Sequence, residues 1–213
     1  MSPCLVILSA PSGGGKTTIA KELLAGRHDL GYSISATTRP PRPDEREGVD
    51  YYFVSRDEFL RQQQSGELLE SAEYGGHLYG TLVSEVDRVL AQGRHVILVI
   101  DVQGARQIRE RRSDVVSIFI LPPSADVLVG RLRGRASDGA EDLSHRLERA
   151  DRELQQAATY DYVVVNDDVS QAVAEVSAII DAETRRTARR SGLREMIAAL
   201  RQELEAIAKN PTP

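Results

Sequence analysis

A glycine-rich segment between an apolar run and a helical pattern constrains this 213-residue chain more than any other feature. The run Leu5–Ser9 has the length and composition of a buried strand, and residues 18–24 follow with a helical pattern. Between them lies Ala10-Pro-Ser-Gly-Gly-Gly-Lys-Thr17. Glycines permit a tight wrap that aims backbone N–H groups inward, and the following helix adds the positive end of its dipole. The segment therefore predicts a phosphate-binding loop in an α/β fold.

Two side chains complete this predicted loop. Lys16 is placed to reach β- and γ-phosphates, and Thr17 is placed to offer a hydroxyl to Mg²⁺. Lysine is rare in the chain, occurring elsewhere only at positions 21 and 209, whereas arginine is abundant, which codon bias explains. Ala10 stands where the general pattern has glycine. The candidate ATP contacts in the loop are Ala10, Pro11, Ser12, Gly13, Gly14, Gly15, Lys16, Thr17 and Thr18.

Composition excludes several other classes of protein. A net charge of −5 argues against nonspecific nucleic-acid binding, and a single cysteine, Cys4, excludes an internal disulfide framework. The aliphatic run Val96–Ile100 is far shorter than the ~20 residues of a membrane span. Residues 3–10 lack the basic leader of a signal peptide. We therefore expect a cytoplasmic protein that binds neither nucleic acid nor membrane.

Short apolar runs alternate with helical patterns, which predicts a parallel sheet flanked by helices. Ser55, Ser84 and Ser124 are predicted to cap helices, and Gly93 is predicted to end one. The expected strands are Leu5–Ser9, His95–Asp101, Val115–Leu121 and Tyr162–Val165, with Tyr32–Ala36 as a fifth.

Three segments depart from this alternation. Residues 38–82 contain short runs split by Gly75 and Gly76, which predicts an inserted lobe of antiparallel strands. Residues 134–144 are polar and lack apolar periodicity. The tail carries apolar residues from Leu193 to Ile207 at alternating spacings of 4 and 3, an amphipathic helix that packs either on its own domain or on a partner.

Asp101 closes the run Val96–Ile100, and this position suits a carboxylate held at a strand end near a metal ion. Together with the loop, it indicates an enzyme that uses a nucleoside triphosphate. The acceptor of the phosphoryl group is left open by these features.

A longer series of motifs consists of Ser35-Ala-Thr-Thr-Arg39-Pro-Pro-Arg42, Gly48-Val-Asp-Tyr51, Glu70, Leu78-Tyr79-Gly-Thr81, Asp101-Val-Gln-Gly104, Arg131-Leu-Arg-Gly-Arg135, Arg146-Leu and Tyr160-Asp-Tyr-Val-Val-Val-Asn166. From about residue 4 to 183, this series resembles guanylate kinase, in that family's order. The resemblance implies a P-loop nucleoside-triphosphate hydrolase-like sheet with a GMP-binding lobe and a lid. It implies a guanylate-kinase-like domain over 1–184, with its core at about 1–37 and 83–184, the lobe at about 38–82, the lid at about 126–150, and a helical tail over 185–213.

The chemistry of guanine supports this resemblance independently. Guanine presents N1–H and N2–H₂ as neighbouring donors, which one carboxylate, Glu70, can accept, and O6 can accept from Ser35 or Thr81. Adenine would place an acceptor opposite that carboxylate. By resemblance, the GMP-binding positions are Ser35, Arg39, Arg42, Tyr51, Glu70, Tyr79, Thr81 and Asp101. Within this set, the Arg guanidiniums and Tyr hydroxyls suit the monophosphate.

The resemblance also implies which residues act on the transferring phosphoryl group. Lys16, Arg39, Arg131, Arg135 and Arg146 are the implied catalytic residues, Asn166 lies near the adenine of ATP, and Thr17 and Asp101 hold Mg²⁺. Two departures from the family pattern concern Val99, where an acid is usual, and Arg135-Ala-Ser-Asp138, where the lid usually continues Arg-Gly-Thr-Glu.

We therefore expect ATP-dependent phosphorylation of GMP to GDP by a monomer or homodimer. Two alternatives remain. A non-catalytic guanylate-kinase-like interaction module typically has a degraded phosphate loop, whereas this chain keeps Lys16 and Thr17. A related sugar-phosphate kinase should lack the guanine-reading set that includes Glu70, Tyr79 and Thr81.

Overall fold

The continuous apolar runs form the strands of a parallel sheet. A computed structural model describes residues 3–134 and 143–209. The strands are β1 (Leu5–Ser9), β2 (Leu30–Tyr32), β3 (Ser35–Thr37), β4 (Tyr52–Phe53), β5 (Leu68–Tyr74), β6 (His77–Leu82), β7 (His95–Val99), β8 (Val115–Leu121) and β9 (Tyr162–Val165). Five of them form the parallel sheet, in the order β2-β7-β1-β8-β9. The other four form a second sheet in the order β4-β3-β6-β5, in which only the β3–β4 pair is parallel.

Helices cover both faces of the parallel sheet because each of them buries one apolar stripe. The helices are α1 (Lys16–Gly26), α2 (Arg56–Gln64), α3 (Val83–Ala91), α4 (Val102–Arg111), α5 (Ala125–Gly134), α6 (Leu143–Leu154), α7 (Val169–Thr184) and α8 (Leu193–Lys209). One face of the sheet packs on α1 and α7 through Ile19, Leu23, Val176 and Ile180, and the other packs on α3 and α4. The expected parallel sheet flanked by helices is thus confirmed.

The predicted fifth strand, Tyr32–Ala36, is part of two separate strands in the structure. The run Tyr32–Ala36 divides at Ser33 and Ile34, so that β2 joins the parallel sheet and β3 joins the second sheet. The backbone N–H of Ile34 donates to Oε2 of Glu85 at 3.4 Å, so a side chain serves this amide between the two strands. The chain therefore passes from one sheet to the other within two residues.

The predicted helix boundaries have mixed outcomes. Ser55 caps α2 by accepting the Glu58 N–H at 3.1 Å, and Ser124 accepts the Val127 N–H at 3.2 Å ahead of α5. Gly93 follows α3 with φ 73° and donates its N–H to the Leu90 carbonyl, as expected of a helix stop. The expected cap at Ser84 is wrong, because α3 begins at Val83, directly after β6, and has no side-chain cap.

Helix α8 leaves its apolar stripe exposed. Met196, Ile197, Leu200, Leu204 and Ile207 are each 47–66% exposed, and no residue of the helix is buried. The structure therefore does not contain the first of the two alternatives for the tail, in which this helix packs on its own domain. No helix within residues 3–134 and 143–209 combines the length and hydropathy needed to cross a membrane.

Candidate active site

The phosphate loop joins β1 to α1 through a glycine-dependent backbone. Gly13 and Gly15 have φ of 82° and 94°, in the left-handed region that favours glycine. The Gly14 N–H donates to the Pro11 carbonyl at 2.8 Å, and the Ile19 N–H donates to the Gly15 carbonyl at 3.2 Å, which starts the helix. Lys16 is half-buried, and Thr17 and Thr18 are exposed at the N-terminal end of α1, the positive end of its dipole.

Asn166 packs directly against this loop. Its side chain is buried, and Nδ2 donates to the Gly14 carbonyl at 3.0 Å. A Cβ at Gly15 would lie 2.2 Å from the same nitrogen, so the loop and Asn166 approach closely only because residue 15 is glycine. Arg131, on α5, donates from Nη2 to the Asn166 carbonyl at 3.3 Å and lies over Gly13. The structure thus brings Asn166 and Arg131 to the phosphate loop.

Asp101 stands at the N-terminus of α4. Its Oδ1 accepts the Gly104 N–H at 2.8 Å, so the carboxylate caps the helix at the end of β7. No group of three or more His, Cys, Asp and Glu side chains that could hold a metal occurs in the part of the chain that the structure describes. Two oxygen ligands are available, the hydroxyl of Thr17 and the carboxylate of Asp101. They fit Mg²⁺, which takes one or two protein oxygens together with phosphates and water.

The three predicted guanine-reading side chains lie side by side across three strands. Ser35 on β3 pairs with Thr81 on β6, and Thr81 pairs with Glu70 on β5. Such neighbours are close enough for direct contact. The Thr81 hydroxyl donates to Oε1 of Glu70 at 2.7 Å.

Glu70 is a buried carboxyl with an altered protonation equilibrium. It is only 5% exposed, and burial raises its pKa to about 7, with the negative charge of Asp101 adding to the effect. Its other oxygen, Oε2, would lie 2.5 Å from a Cβ at Gly104. Glycine at the first turn of α4 therefore lets that helix approach the carboxyl group.

Three of the predicted phosphate-holding groups of the acceptor site, Arg39, Tyr51 and Tyr79, lie together beside the second sheet. The Arg39 guanidinium lies 5.6 Å from the Tyr51 ring centroid, and the Tyr51 and Tyr79 rings are 6.0 Å apart. Glu45 pairs with Arg39, whose Nη2 donates to both carboxylate oxygens at 2.7 and 2.8 Å. Glu45 also accepts the backbone N–H of Arg42 at 2.9 Å, and these bonds lower the pKa of Glu45.

Helix α6 connects the two sides of the site. Its Arg149 guanidinium lies 4.9 Å from the Tyr74 ring centroid on β5, and Oε2 of Glu153 accepts the backbone N–H of Ser12 at 2.8 Å. Arg146, one of the predicted catalytic residues, is half-buried on the same helix. The predicted catalytic Arg135 lies outside the described residues.

Sequence reasoning missed three residues of this site, Glu45, Gly104 and Glu153. Glu45 and Glu153 lie among many other charged residues, and nothing in their spacing distinguishes them. Gly104 was included in a motif, but the need for glycine there follows only from its approach to Glu70.

Comparisons with known proteins agree with this architecture. A sequence profile of the family described as guanylate kinase matches residues 2–183. A guanylate kinase of Chelativorans sp. is 47% identical over 93% of this chain and 92% of its own length. A guanylate kinase of Symbiobacterium thermophilum is 48% identical over 87% and 88% of the two chains.

A solved structure extends the similarity to the fold. The crystal structure of guanylate kinase from Anaplasma phagocytophilum has a TM-score of 0.76 and 39% identity, covering 93% of this chain and 95% of that one. On the matched profile, the identities and the shared fold, this chain belongs to the guanylate kinase family.

Proposed function

We propose that this chain transfers the γ-phosphoryl group of ATP to GMP, giving ADP and GDP. The observation that carries the proposal is the row Ser35, Thr81 and Glu70, aligned in register across three strands of a chain that also has an intact phosphate loop. The row suits guanine and the loop suits a nucleoside triphosphate. Family membership supports the same activity.

On the donor side, the loop from Ala10 to Thr18 holds the phosphates of ATP. Its backbone N–H groups and Lys16 bind the β- and γ-phosphate oxygens, and Arg131 adds positive charge beside Gly13. Asn166 fixes the loop through its bond to Gly14 and lies at the adenine side in the proposed arrangement.

Mg²⁺ is the proposed metal of the donor. Thr17 and Asp101 are the residues that hold it, with phosphate oxygens and water as the remaining ligands. When bound, the metal neutralises charge on the β- and γ-phosphates. Val99, where an acid is usual, leaves Asp101 as the carboxylate at this strand end.

On the acceptor side, Glu70 and its neighbours select the base. In its ionised form Glu70 accepts N1–H and N2–H₂ of guanine, and O6 accepts from the Ser35 hydroxyl, or from the Thr81 hydroxyl once that proton turns away from Glu70. Arg39, Arg42, Tyr51 and Tyr79 bind the monophosphate through charge-assisted hydrogen bonds. The base and the phosphate are thus bound by neighbouring groups of one sheet and its loops.

Transfer requires positioning and positive charge rather than a general base, because the acceptor atom is already a phosphate oxygen. Lys16, Arg39, Arg131, Arg135 and Arg146 are proposed to stabilise the charge on the transferring group. Closure of the segment at about 126–150 excludes water, which would otherwise accept the phosphoryl group. The chain is proposed to act in the cytoplasm as a monomer or homodimer.

The test compares two lysines of helix α1. In an ADP-release assay with GMP, Lys16→Ala should lower kcat/KM by ~10³-fold or more, because a phosphate contact present in the transition state is lost. Lys21→Ala removes the same charge from an exposed position of the same helix and should leave the rate within about twofold. Undiminished turnover by Lys16→Ala would contradict the assignment of the loop. Wild-type protein without turnover would instead favour a non-catalytic interaction module.

A further inference from the structure

A side-chain carboxylate accepts a hydrogen bond from a backbone amide of the phosphate loop. Oε2 of Glu153 accepts the Ser12 N–H at 2.8 Å, across 141 residues of sequence. Glu153 is half-buried on α6, the helix that also contacts the acceptor side through Arg149 and Tyr74. A backbone amide has one proton to donate, so Ser12 cannot serve Glu153 and a phosphate oxygen fully at the same time.

The charges around Glu153 are those that a phosphate group would meet. Lys16 and Arg149 lie near enough to favour its ionised form, while Asp101 disfavours it, and burial, the largest influence, raises its pKa. Lys16 belongs to the loop, and Asp101 is the carboxylate proposed for the metal. The carboxylate of Glu153 is therefore near both Lys16 and Asp101, the two charged side chains proposed for the donor site.

We propose that Glu153 is an internal stand-in for a donor phosphate oxygen, which the incoming triphosphate displaces, and that this residue sets the affinity for the donor. The inference rests on the proposed function of the loop. Its physical basis is competition: the carboxylate and the phosphate take the same amide and repel each other in a partly buried site.

Displacement of the carboxylate from the Ser12 amide has the same free-energy cost for every anion that takes this amide. Removing the carboxylate should therefore increase the affinity for every phosphate-bearing ligand that enters this part of the loop. After displacement, Arg149 loses a neighbouring negative charge and can pair with phosphate instead. Because Arg146 and Arg149 precede Glu153 by seven and four residues, all three side chains share one face of α6.

The experiment measures binding by isothermal titration calorimetry without GMP, with the Mg²⁺ complex of a non-hydrolysable ATP analogue and with inorganic pyrophosphate. Glu153→Gln keeps the size of the side chain and removes its charge, so both ligands should bind about tenfold more tightly, the difference expected when a charge-assisted bond no longer competes. Glu153→Met, which removes charge and acceptor alike, should give at least the same gain.

Glu148→Gln is the matched control, because it removes the same charge from an exposed position of α6. It should leave both dissociation constants within about twofold of the wild-type values. Thermal melts of all variants identify any that fail to fold.

Unchanged or weaker binding by both folded Glu153 variants would overturn the inference, since it would mean that the carboxylate supports the loop rather than competing with phosphate. A gain for one ligand alone would also overturn the common-cost argument. Wild-type protein that binds no ATP analogue, or Lys16→Ala that binds it as well as wild type, would contradict the proposed function itself. Wild-type binding with no gain in the Glu153 variants contradicts only this inference.

Discussion

The hydroxyl of Thr81 donates a 2.7 Å hydrogen bond to Oε1 of Glu70, in a site where the carboxyl group is only 5% exposed. This bond orients a buried acid whose pKa burial raises to about 7. Guanine offers two donors to a carboxylate, so in the proposed site the ionised form of Glu70 is the form expected to bind it. Protonation and base recognition are consequently linked at one residue.

Replacing Glu70 should weaken GMP recognition selectively. Glu70→Gln presents an N–H where guanine has a donor, so kcat/KM for GMP should fall by about 10²–10³-fold, mainly through KM. Steady-state kinetics with GMP varied at saturating ATP measures this. Glu73→Gln, at an exposed position of the same strand, is the control and should behave as wild type. An equal loss in the two variants would argue against a role in base selection.

The affinity for GMP should depend on pH. Because the pKa of Glu70 in the free protein is raised to about 7, the competent carboxylate is lost as the pH falls through that value. Well below it, kcat/KM for GMP should drop by nearly tenfold per pH unit, as expected for one proton. Profiles from pH 5 to 8.5 for wild type and Glu70→Gln separate this effect from titration of the GMP phosphate, which both proteins share. Identical profiles would contradict the linkage.

Glu70 should also influence stability, with the opposite sign. Its folded-state pKa lies above the ordinary value of 4.5, so the folded state disfavours the charged carboxylate. The contribution of Glu70 to the stability of the folded state is fully present below pH 4.5 and is lost as the pH rises through about 7. The free energy of unfolding of wild type relative to Glu70→Gln should therefore decline from pH 4.5 to 7.5, as chemical denaturation can measure. A relative increase over this range would contradict the assigned pKa.

A methyl group at Gly15 should disrupt the phosphate loop. Its Cβ would lie 2.2 Å from Nδ2 of Asn166, and φ of 94° is unfavourable for alanine. Gly15→Ala should lower the free energy of unfolding by about 2–4 kcal/mol and kcat by 10²-fold or more. Gly26→Ala, at the other end of α1 with open space around it, is the control. Equal stability of the two variants would contradict the described packing.

The tail should be dispensable for chemistry. Helix α8 buries none of its residues, so deletion of residues 191–213 should leave kcat within about twofold and the Tm nearly unchanged. The assay and a thermal melt test this directly. A large fall in Tm would indicate that the apolar stripe packs on its own domain after all.

The sequence predicts the parallel sheet well because its strands are continuous buried runs. The bounds of β1, β8 and β9 agree with the apolar runs residue for residue. The split at Ser33 and Ile34 could not be predicted from local composition, because the group that accepts the Ile34 N–H between the two strands, Glu85, lies 51 residues later. Ser84 failed as a cap because β6 continues directly into α3, where tertiary packing fixes the start of the helix.

For the candidate site, residue types were predictable where a motif dictates them, as with Lys16 and the loop glycines. The carboxylates that contact the predicted anion-binding groups could not be predicted from the sequence. Glu45 pairs with Arg39 six residues earlier in the same loop, whereas Glu153 accepts the Ser12 N–H across 141 residues of sequence. No motif marks either acid, so each one taken alone has the character of an ordinary surface charge. The sequence therefore predicts the groups proposed to hold phosphate but not the carboxylates that contact them in the structure.

The most direct test of the account is a comparison of nucleoside monophosphates in the ADP-release assay with MgATP. GMP should exceed AMP, CMP and UMP in kcat/KM by ~10⁴-fold, because the others leave Glu70 and its neighbours unpaired. Inosine monophosphate, which keeps N1–H and O6 but lacks the amino group, should fall between GMP and AMP. Equal rates with AMP and GMP would contradict the assignment of Ser35, Glu70 and Thr81 to guanine.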